Sequence, residues 1–130
     1  MSETTTIPPL KKGFRQLVQE AEAQVKCITP QEAKGLLGNS DVLFVDLRGV
    51  TEINENGAIP GAFHCPRGLL EFWIDPTSPY HKPELTSGKT LLMFCASGGR
   101  SALAAKTLKE MGFDNVMNMK GGFKDWKEMK

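Results

Sequence analysis

The chain has 130 residues and a formal net charge of +1, and its length suits a single domain with one hydrophobic core. The near-neutral charge excludes a strong general attraction to nucleic acid or to anionic membranes. No apolar stretch approaches the roughly 20 residues of a membrane span, and the polar N-terminus lacks a signal-peptide core, so we expect a cytoplasmic protein.

The N-terminal part is predicted to consist of a flexible tail and one helix. Residues 1–12 form the predicted tail, and residues 13–26 form a helical extension of the main domain. We expect the apolar face of this helix to pack on the domain rather than to bind a partner. The residues that recur with the spacing of one helix face are Phe14, Leu17, Val18, Ala21 and Val25.

Signals for helices and strands alternate over residues 27–130, the predicted main domain. The segment from Thr29 to Glu32 is a capping box with proline at the first helical position, and Gly38 is expected to end that helix. Short strands that alternate with helices predict an α/β fold, with a central parallel sheet of about five strands and helices on both faces. The other predicted helices cover residues 51–56, 101–111 and a last turn at Trp126, and the predicted strands cover residues 42–45, 62–65, 91–94 and 115–119.

Cys95 lies where the strand over residues 91–94 meets the helix that follows. A loop that enters a helix exposes backbone N–H groups without partners in the helix, and Gly98 and Gly99 allow such a loop to curl into a concave anion site. Helix N-termini and nearby cations lower the pKa of a cysteine from about 8.5 to about 3.5–7.5. With Arg100 at the end of the loop, we expect Cys95 to ionise easily. The alternative is a buried cysteine that merely ends a strand.

Asp46 follows a second buried strand, the one predicted over residues 42–45. In parallel sheets, ligands bind beyond the carboxyl ends of the strands. Because Asp46 and Cys95 each follow a strand directly, we expect both residues at the same edge of the sheet.

Four motifs, in this order and spacing, resemble the signatures of the single-domain rhodanese family. Ala58 departs from the family pattern, which often has a histidine there that is usually taken as structural. The resemblance covers about residues 27–128 and implies a rhodanese-like three-layer domain, here with an additional N-terminal helix. The motifs are Val45-Asp46-Leu47-Arg48, Gly57-Ala58-Ile59-Pro60-Gly61-Ala62, Cys95-Ala96-Ser97-Gly98-Gly99-Arg100, and Gly121-Gly122-Phe123 with Trp126.

The resemblance implies a sulfurtransferase that moves a sulfane sulfur from a donor such as thiosulfate to cyanide or a thiol. Cys95 would carry the sulfur as a persulfide in a covalent, two-step transfer. A sulfur-accepting protein is a further expected partner, whereas no cofactor, nucleic acid or membrane is expected. The N–H groups that would hold the anionic outer sulfur belong to the loop residues Ala96, Ser97, Gly98, Gly99, Arg100 and Ser101.

Charged residues near the loop are expected to support it. Asp46 is predicted to accept hydrogen bonds from the loop. Arg48 is predicted to form a structural ion pair, with Glu52 as a candidate partner, rather than to contact the substrate. Arg100 is expected either to bind an anionic donor or to brace the loop, and the sequence does not separate these two roles.

Residues 67–82 form a stretch that is longer than in minimal members of the family. We expect this stretch to form a wall of the active site, with Arg67, Phe72 and Trp73 at the mouth of the pocket. For the two aromatic residues, packing in the core is an equally open alternative.

Two other functions stay open. A phosphatase or arsenate reductase of the same fold uses a Cys-x5-Arg loop, whereas only four residues separate Cys95 from Arg100. The shorter ring suits one sulfur better than a tetrahedral phosphate. The second alternative is a non-catalytic rhodanese-like module that binds partners, although such modules often lose the cysteine that this chain keeps.

The remaining cysteines and histidines do not point to a metal or a disulfide. Cys27, His64, Cys65 and His81 lack the spacing of metal ligands, so no metal site is predicted. Three cysteines without paired spacing argue against a disulfide framework. Cys65 is predicted as a buried strand residue rather than as a group that resolves a Cys95 persulfide into a disulfide.

Overall fold

A central sheet of five parallel strands organises the fold, in a computed structural model that describes residues 7–129. The strand order is β1-β5-β4-β2-β3, with helices on both faces. The α/β class and the parallel sheet predicted from the sequence are confirmed. The strands are β1 (Lys26–Ile28), β2 (Val42–Asp46), β3 (Phe63–His64), β4 (Thr90–Phe94) and β5 (Val116–Met119), and the helices are α1 (Phe14–Gln24), α2 (Pro30–Lys34), α3 (Val50–Asn56), α4 (Leu70–Ile74), α5 (Gly99–Glu110) and α6 (Gly122–Glu128).

The edge strand β1 is not predicted from the sequence. Its three residues are too few to show either alternation or a long apolar run. Pairing with β5 creates the strand, with Lys26 opposite Met117 and Ile28 opposite Met119. α1 ends at Gln24, two residues before the end of the helical extension predicted over residues 13–26. The backbone of Val25, the next residue, is already extended.

The predicted N-terminal tail falls only partly on described residues. Residues 1–6 lie outside them, and residues 7–12 are exposed and form neither helix nor strand. α1 packs on α5 through the C-terminal half of its apolar face, where Ala21 is buried. The prediction that the whole face packs is wrong for Phe14 and Leu17, which are 68% and 38% exposed. Phe14 borders an open cleft between α1 and residues 97–99 and is not covered by the domain.

Two apolar layers lie on opposite faces of the sheet, and Cys95 belongs to one of them. Consecutive side chains of a strand point to opposite faces of the sheet. Because both faces are covered, β2 and β4 contribute side chains to both layers. The layer beneath α4 and α5 therefore receives Val45, Met93 and Cys95 from the sheet. The opposite layer is formed by Ile28, Ala33, Phe44, Ile59, Leu92, Phe94, Met119 and Phe123.

The helix after the cysteine loop begins and ends near its predicted bounds. α5 starts at Gly99, and Gly98 precedes it in the left-handed conformation with φ +96°. The predicted range of residues 101–111 runs one residue too far, since Met111 lies just past the end of α5, where it is 46% exposed. No helix within residues 7–129 combines the length and the apolar composition needed to cross a bilayer.

Candidate active site

Cys95 is buried at the carboxyl end of β4, where it is 1% exposed. The backbone N–H of Gly98 donates a hydrogen bond to its Sγ over 3.2 Å. The hydroxyl of Ser101, in the first turn of α5, lies 3.5 Å from the same sulfur. The loop predicted as a sulfur cradle therefore brings one N–H group and one hydroxyl to Cys95.

α6 fixes the direction of the loop backbone. The N–H of Phe123 donates to the carbonyl oxygen of Cys95 over 2.8 Å, and the N–H of Lys124 donates to that of Ala96 over 3.0 Å. In a trans peptide, the C=O and the N–H point in opposite directions. The N–H groups of Ala96 and Ser97 therefore point away from α6, toward the face of the sheet that holds the sulfur of Cys95.

Glycine is required where α6 approaches the loop. Gly122 has φ +63°, and a Cβ at this position would lie 2.6 Å from the carbonyl oxygens of both Cys95 and Ala96. A Cβ on Gly98, at φ +96°, would lie 3.1 Å from the backbone nitrogen of Gly121. The Gly-Gly-Phe motif therefore acts through close backbone contact with the cysteine loop.

The start of α5 leaves further N–H groups for the loop. The N–H of Ala102 donates to Gly98 O over 3.1 Å, and this bond begins the helical ladder. The N–H groups of Gly99, Arg100 and Ser101 precede that ladder and are not used by it. Together with the N–H groups of the loop, they form the partially positive end of the helix.

Arg100 is held by a carboxylate of α3. Its two terminal nitrogens donate to the two oxygens of Glu52, each over 2.8 Å, and Glu52 also accepts the N–H of Gly49 over 3.1 Å. This bidentate bond holds the pKa of Glu52 at about 2, well below its ordinary value. Of the two roles expected for Arg100, bracing of the loop is the one that this contact supports. Arg48 forms a structural ion pair as predicted, but Glu52 is the wrong partner, because Glu52 is engaged by Arg100.

Arg48 instead pairs with Asp46 in a buried site at the end of β2. Its Nη2 lies 2.7 Å from Asp46 Oδ2, and its Nε donates to Oδ1 over 2.9 Å. The same guanidinium donates to Gly57 O and stacks 4.1 Å from the centre of the Phe123 ring. Asp46 was expected to accept hydrogen bonds from the loop, but the side-chain bonds of its carboxylate go to Arg48. Its support of the loop is therefore indirect, through Arg48 and Phe123.

Two clefts border the cysteine loop, one on each side. The first, of about 210 Å³, is lined by residues that include Arg48, Glu52, Ala96 and Lys124. The second, of about 320 Å³, lies between α1 and the loop residues 97–99.

The residues predicted at the pocket mouth line neither of these clefts. Arg67 pairs with Glu71 over 2.8 Å, and Phe72 is 56% exposed. Trp73 packs edge-on against Phe63, with 6.2 Å between ring centres. The core-packing alternative therefore describes Trp73, and the wall proposed for residues 67–82 gains no support from the two clefts.

The other two cysteines are free thiols. Burial raises the pKa of Cys65 to about 12, so this thiol stays protonated at neutral pH. β2 separates β3 from β4, which places Cys65 about 9–10 Å from Cys95 by strand spacing, too far for a disulfide without backbone movement. Among residues 7–129, no cluster of three or more His, Cys, Asp or Glu could hold a metal ion.

Sequence reasoning missed one residue that contacts the site from below. Asn118 is a fully buried amide in the middle of β5, and its Oδ1 accepts the hydroxyl of Ser101 over 2.5 Å. The available signal was a polar residue inside an apolar strand, since such a residue needs a specific partner.

Comparisons with known proteins agree with this fold. A model of the rhodanese-like domain matches residues 29–129. Thiosulfate sulfurtransferase/rhodanese-like domain-containing protein 3 of Mus musculus is 31% identical over 106 residues, which cover 78% of this chain and 68% of that protein. The thiosulfate sulfurtransferase GlpE of Glaesserella parasuis is 32% identical, with 76% and 83% covered.

A solved structure is similar over almost the whole chain. It belongs to a protein of unknown function from Rhodopseudomonas palustris that is described as a possible tyrosine phosphatase. The two chains are 43% identical and superpose with a TM-score of 0.91, covering 95% of this chain and 96% of that one.

The substitution Gly122→Ala should displace the cysteine loop. Strain at a positive φ is expected to cost about 1–2 kcal/mol, and the contact with two carbonyls should add about 1–3 kcal/mol. Gly112→Ala is the matched control, because Gly112 has φ +93° but open space around it. We expect urea unfolding to show a larger loss for Gly122→Ala, and iodoacetamide to modify Cys95 more slowly only in that variant. Equal losses of stability and reactivity in both variants would contradict the role assigned to Gly122.

The pair between Glu52 and Arg100 should make stability depend on pH. Because folding lowers the pKa of Glu52 from 4.5 to about 2, the pair stabilises the fold fully above about pH 4.5 and progressively less as the pH falls toward 2. Both side chains are partly exposed, so the contribution should stay below about 1 kcal/mol. Urea unfolding of the wild type and Glu52→Gln at pH 6, 4 and 3 should show a difference that narrows with acid. A difference independent of pH would exclude this pair as its source.

Proposed function

The chain belongs to the rhodanese-like domain family, and from that premise we propose that it is a sulfurtransferase that carries a sulfane sulfur as a persulfide on Cys95. In the first step, the Cys95 thiolate attacks the outer sulfur of a donor such as thiosulfate. The sulfur–sulfur bond of thiosulfate breaks, and sulfite leaves with the electron pair. In the second step, cyanide or a thiolate attacks the outer sulfur of the persulfide, and the Cys95 thiolate leaves.

The orientation of the loop backbone is the observation that carries this proposal. The outer sulfur of a persulfide is anionic and needs hydrogen-bond donors in a buried site. The bonds from Phe123 and Lys124 to the loop carbonyls turn the N–H groups of Ala96 and Ser97 toward the side of Cys95. Fixed donors of this kind stabilise a negative charge without reorganising when it develops.

Arg100 is proposed to contribute charge rather than a direct contact. Its guanidinium is occupied by Glu52 in a bidentate bond, and its positive charge stands in the first turn of α5, directly after the cysteine loop. An anionic donor that approaches the loop would therefore meet the helix terminus and a nearby cation together.

A phosphatase is the second candidate, because the similar Rhodopseudomonas palustris protein is described as a possible tyrosine phosphatase. Two features of this chain speak against phosphate as the substrate. Only four residues separate Cys95 from Arg100, which encloses a small site. The fork of Arg100, which would hold two phosphate oxygens, is already bound to Glu52.

Incubation with thiosulfate followed by intact-mass measurement tests the proposal. We expect a one-sulfur adduct on the wild type that cyanide removes, and no adduct on Cys95→Ala. Cys65→Ala is the matched control and should keep the adduct, because the pKa of about 12 at Cys65 leaves no thiolate there at neutral pH.

Three results would contradict a persulfide on Cys95. The first is the absence of an adduct with both thiosulfate and mercaptopyruvate, which would favour a non-catalytic binding module. The second is a cyanide-sensitive adduct on Cys95→Ala. The third is Cys95-dependent hydrolysis of a generic aryl phosphate without any sulfur adduct, which would favour the phosphatase.

A further inference from the structure

A buried polar pair lies directly beneath the sulfur of Cys95. Ser101 and Asn118 are both fully buried, and the Ser101 hydroxyl donates to Asn118 Oδ1 over 2.5 Å. Ser101 Oγ is at the same time 3.5 Å from Cys95 Sγ. The pair sits in an otherwise apolar layer, where an amide is costly unless its hydrogen bonds are made.

Cys27 contacts the nitrogen end of the Asn118 side-chain amide. Its Sγ is 3.8 Å from Val25 O and 3.9 Å from Glu22 O, so its S–H has backbone carbonyls to donate to. The sulfur then offers a lone pair to Asn118, whose Nδ2 lies 3.7 Å away. With the amide nitrogen on the Cys27 side, the amide oxygen must face Ser101.

The proton of the Ser101 hydroxyl is therefore committed to Asn118. A serine hydroxyl has a single proton to donate, and the bond to Asn118 Oδ1 uses it. The lone pairs of Ser101 Oγ are left to face Cys95 Sγ. A thiol at Cys95 can donate its S–H to this oxygen, whereas a thiolate would gain no donor from Ser101.

We propose that Asn118 is a positioning residue that acts through Ser101 to restrain the ionisation of Cys95. By holding the hydroxyl proton, Asn118 keeps Ser101 as an acceptor toward Cys95 and so favours a neutral inner sulfur. This rests on the proposed function in naming Cys95 as the reactive group, but it concerns the resting cysteine and needs no sulfur donor.

The restraint suits a cysteine that carries a persulfide. In a persulfide, the inner sulfur is neutral and the charge lies on the outer sulfur, which the N–H groups of the loop would hold. The bonding of the persulfide itself puts the negative charge on the outer atom, so the donors are needed there and not beneath Sγ. At rest, the same arrangement limits the thiolate, which is the form that oxidants attack.

Substitutions at Ser101 and Asn118 leave the other charged and titratable groups near Cys95 unchanged. Arg100 with Glu52 approaches from α5 and α3, and the buried pair of Asp46 and Arg48 lies on the neighbouring end of β2. Two further thiols face the region, Cys27 from β1 and Cys65 from beyond β3. None of these groups hydrogen-bonds to the Ser101 hydroxyl or to Asn118, apart from Cys27.

The pH dependence of Cys95 alkylation by iodoacetamide tests the proposal in a double-mutant cycle. The full chain is compared as wild type, Asn118→Val, Ser101→Ala and the double variant, with modification at Cys95 followed by peptide mass. We expect Asn118→Val to lower the pH midpoint of alkylation by about one unit, because the freed hydroxyl can donate to the thiolate. In the Ser101→Ala background, the same substitution should leave the midpoint unchanged.

Other outcomes of the cycle would overturn the proposal. In the wild-type background, Asn118→Val could leave the pH midpoint of Cys95 alkylation unchanged or raise it. Alternatively, it could shift this midpoint equally in the wild type and in Ser101→Ala. A merely structural role predicts that last result, because loosening of β5 does not depend on the Ser101 hydroxyl. The double variant replaces both buried partners by apolar groups and should stay folded, and Asn118→Ala serves as a second, smaller variant.

The result is separable from that of the sulfurtransferase test. Alkylation requires only the Cys95 thiolate and iodoacetamide, so the midpoints can be read whether or not thiosulfate forms an adduct. Conversely, an adduct on Cys95 with no shift in Asn118→Val would support the transfer reaction and reject the restraint.

Discussion

Two backbone hydrogen bonds from α6 to the cysteine loop determine what the rest of the site can do. Phe123 and Lys124 bind the carbonyls of Cys95 and Ala96, and the trans peptide geometry then directs the loop N–H groups to the opposite side. The bonds need a very close approach of two backbones, which a Cβ on Gly122 would prevent. A motif 26 residues away in the sequence (from Cys95 to Gly121) therefore sets the direction of the donors around the sulfur.

The two arginines at this edge of the sheet are both committed to carboxylates. Arg48 is buried with Asp46 and stacks on Phe123, so it stabilises the position of α6. Arg100 is held by Glu52, which joins α5 to the start of α3. Because both guanidinium groups are engaged, the backbone of the loop, rather than a mobile side chain, supplies the donors nearest to the sulfur.

The environment of Cys95 differs between its two sides. The loop offers N–H donors, whereas Ser101 offers lone pairs because Asn118 holds its proton. Under the function proposed above, the charged outer atom of a persulfide would meet the donors of the loop, whereas the resting thiol can donate its S–H to Ser101. This division gives a physical reason for a buried amide in an otherwise apolar layer, where it would be costly without its partners.

Sequence patterns alone determined the features that depend on residues close together in the sequence. Apolar runs predicted four of the five strands, the capping box at Thr29 marked the start of α2, and the strand–helix junction identified Cys95 with its glycines. These signals are local, since strand burial, helix caps and positive φ values are set within a few residues. They also carried the resemblance to the rhodanese family, which the match over residues 29–129 confirmed.

Only the tertiary structure decided which side chains meet across the fold. Arg100 and Glu52 are 48 residues apart, and Asn118 and Cys27 are 91 residues apart, so no local pattern could pair them. The edge strand β1 exists only through its bonds to β5. The physical reason is the same in each case, because several partners are equally compatible with the local sequence and packing selects one of them. Glu52, for example, pairs with Arg100 and not with Arg48.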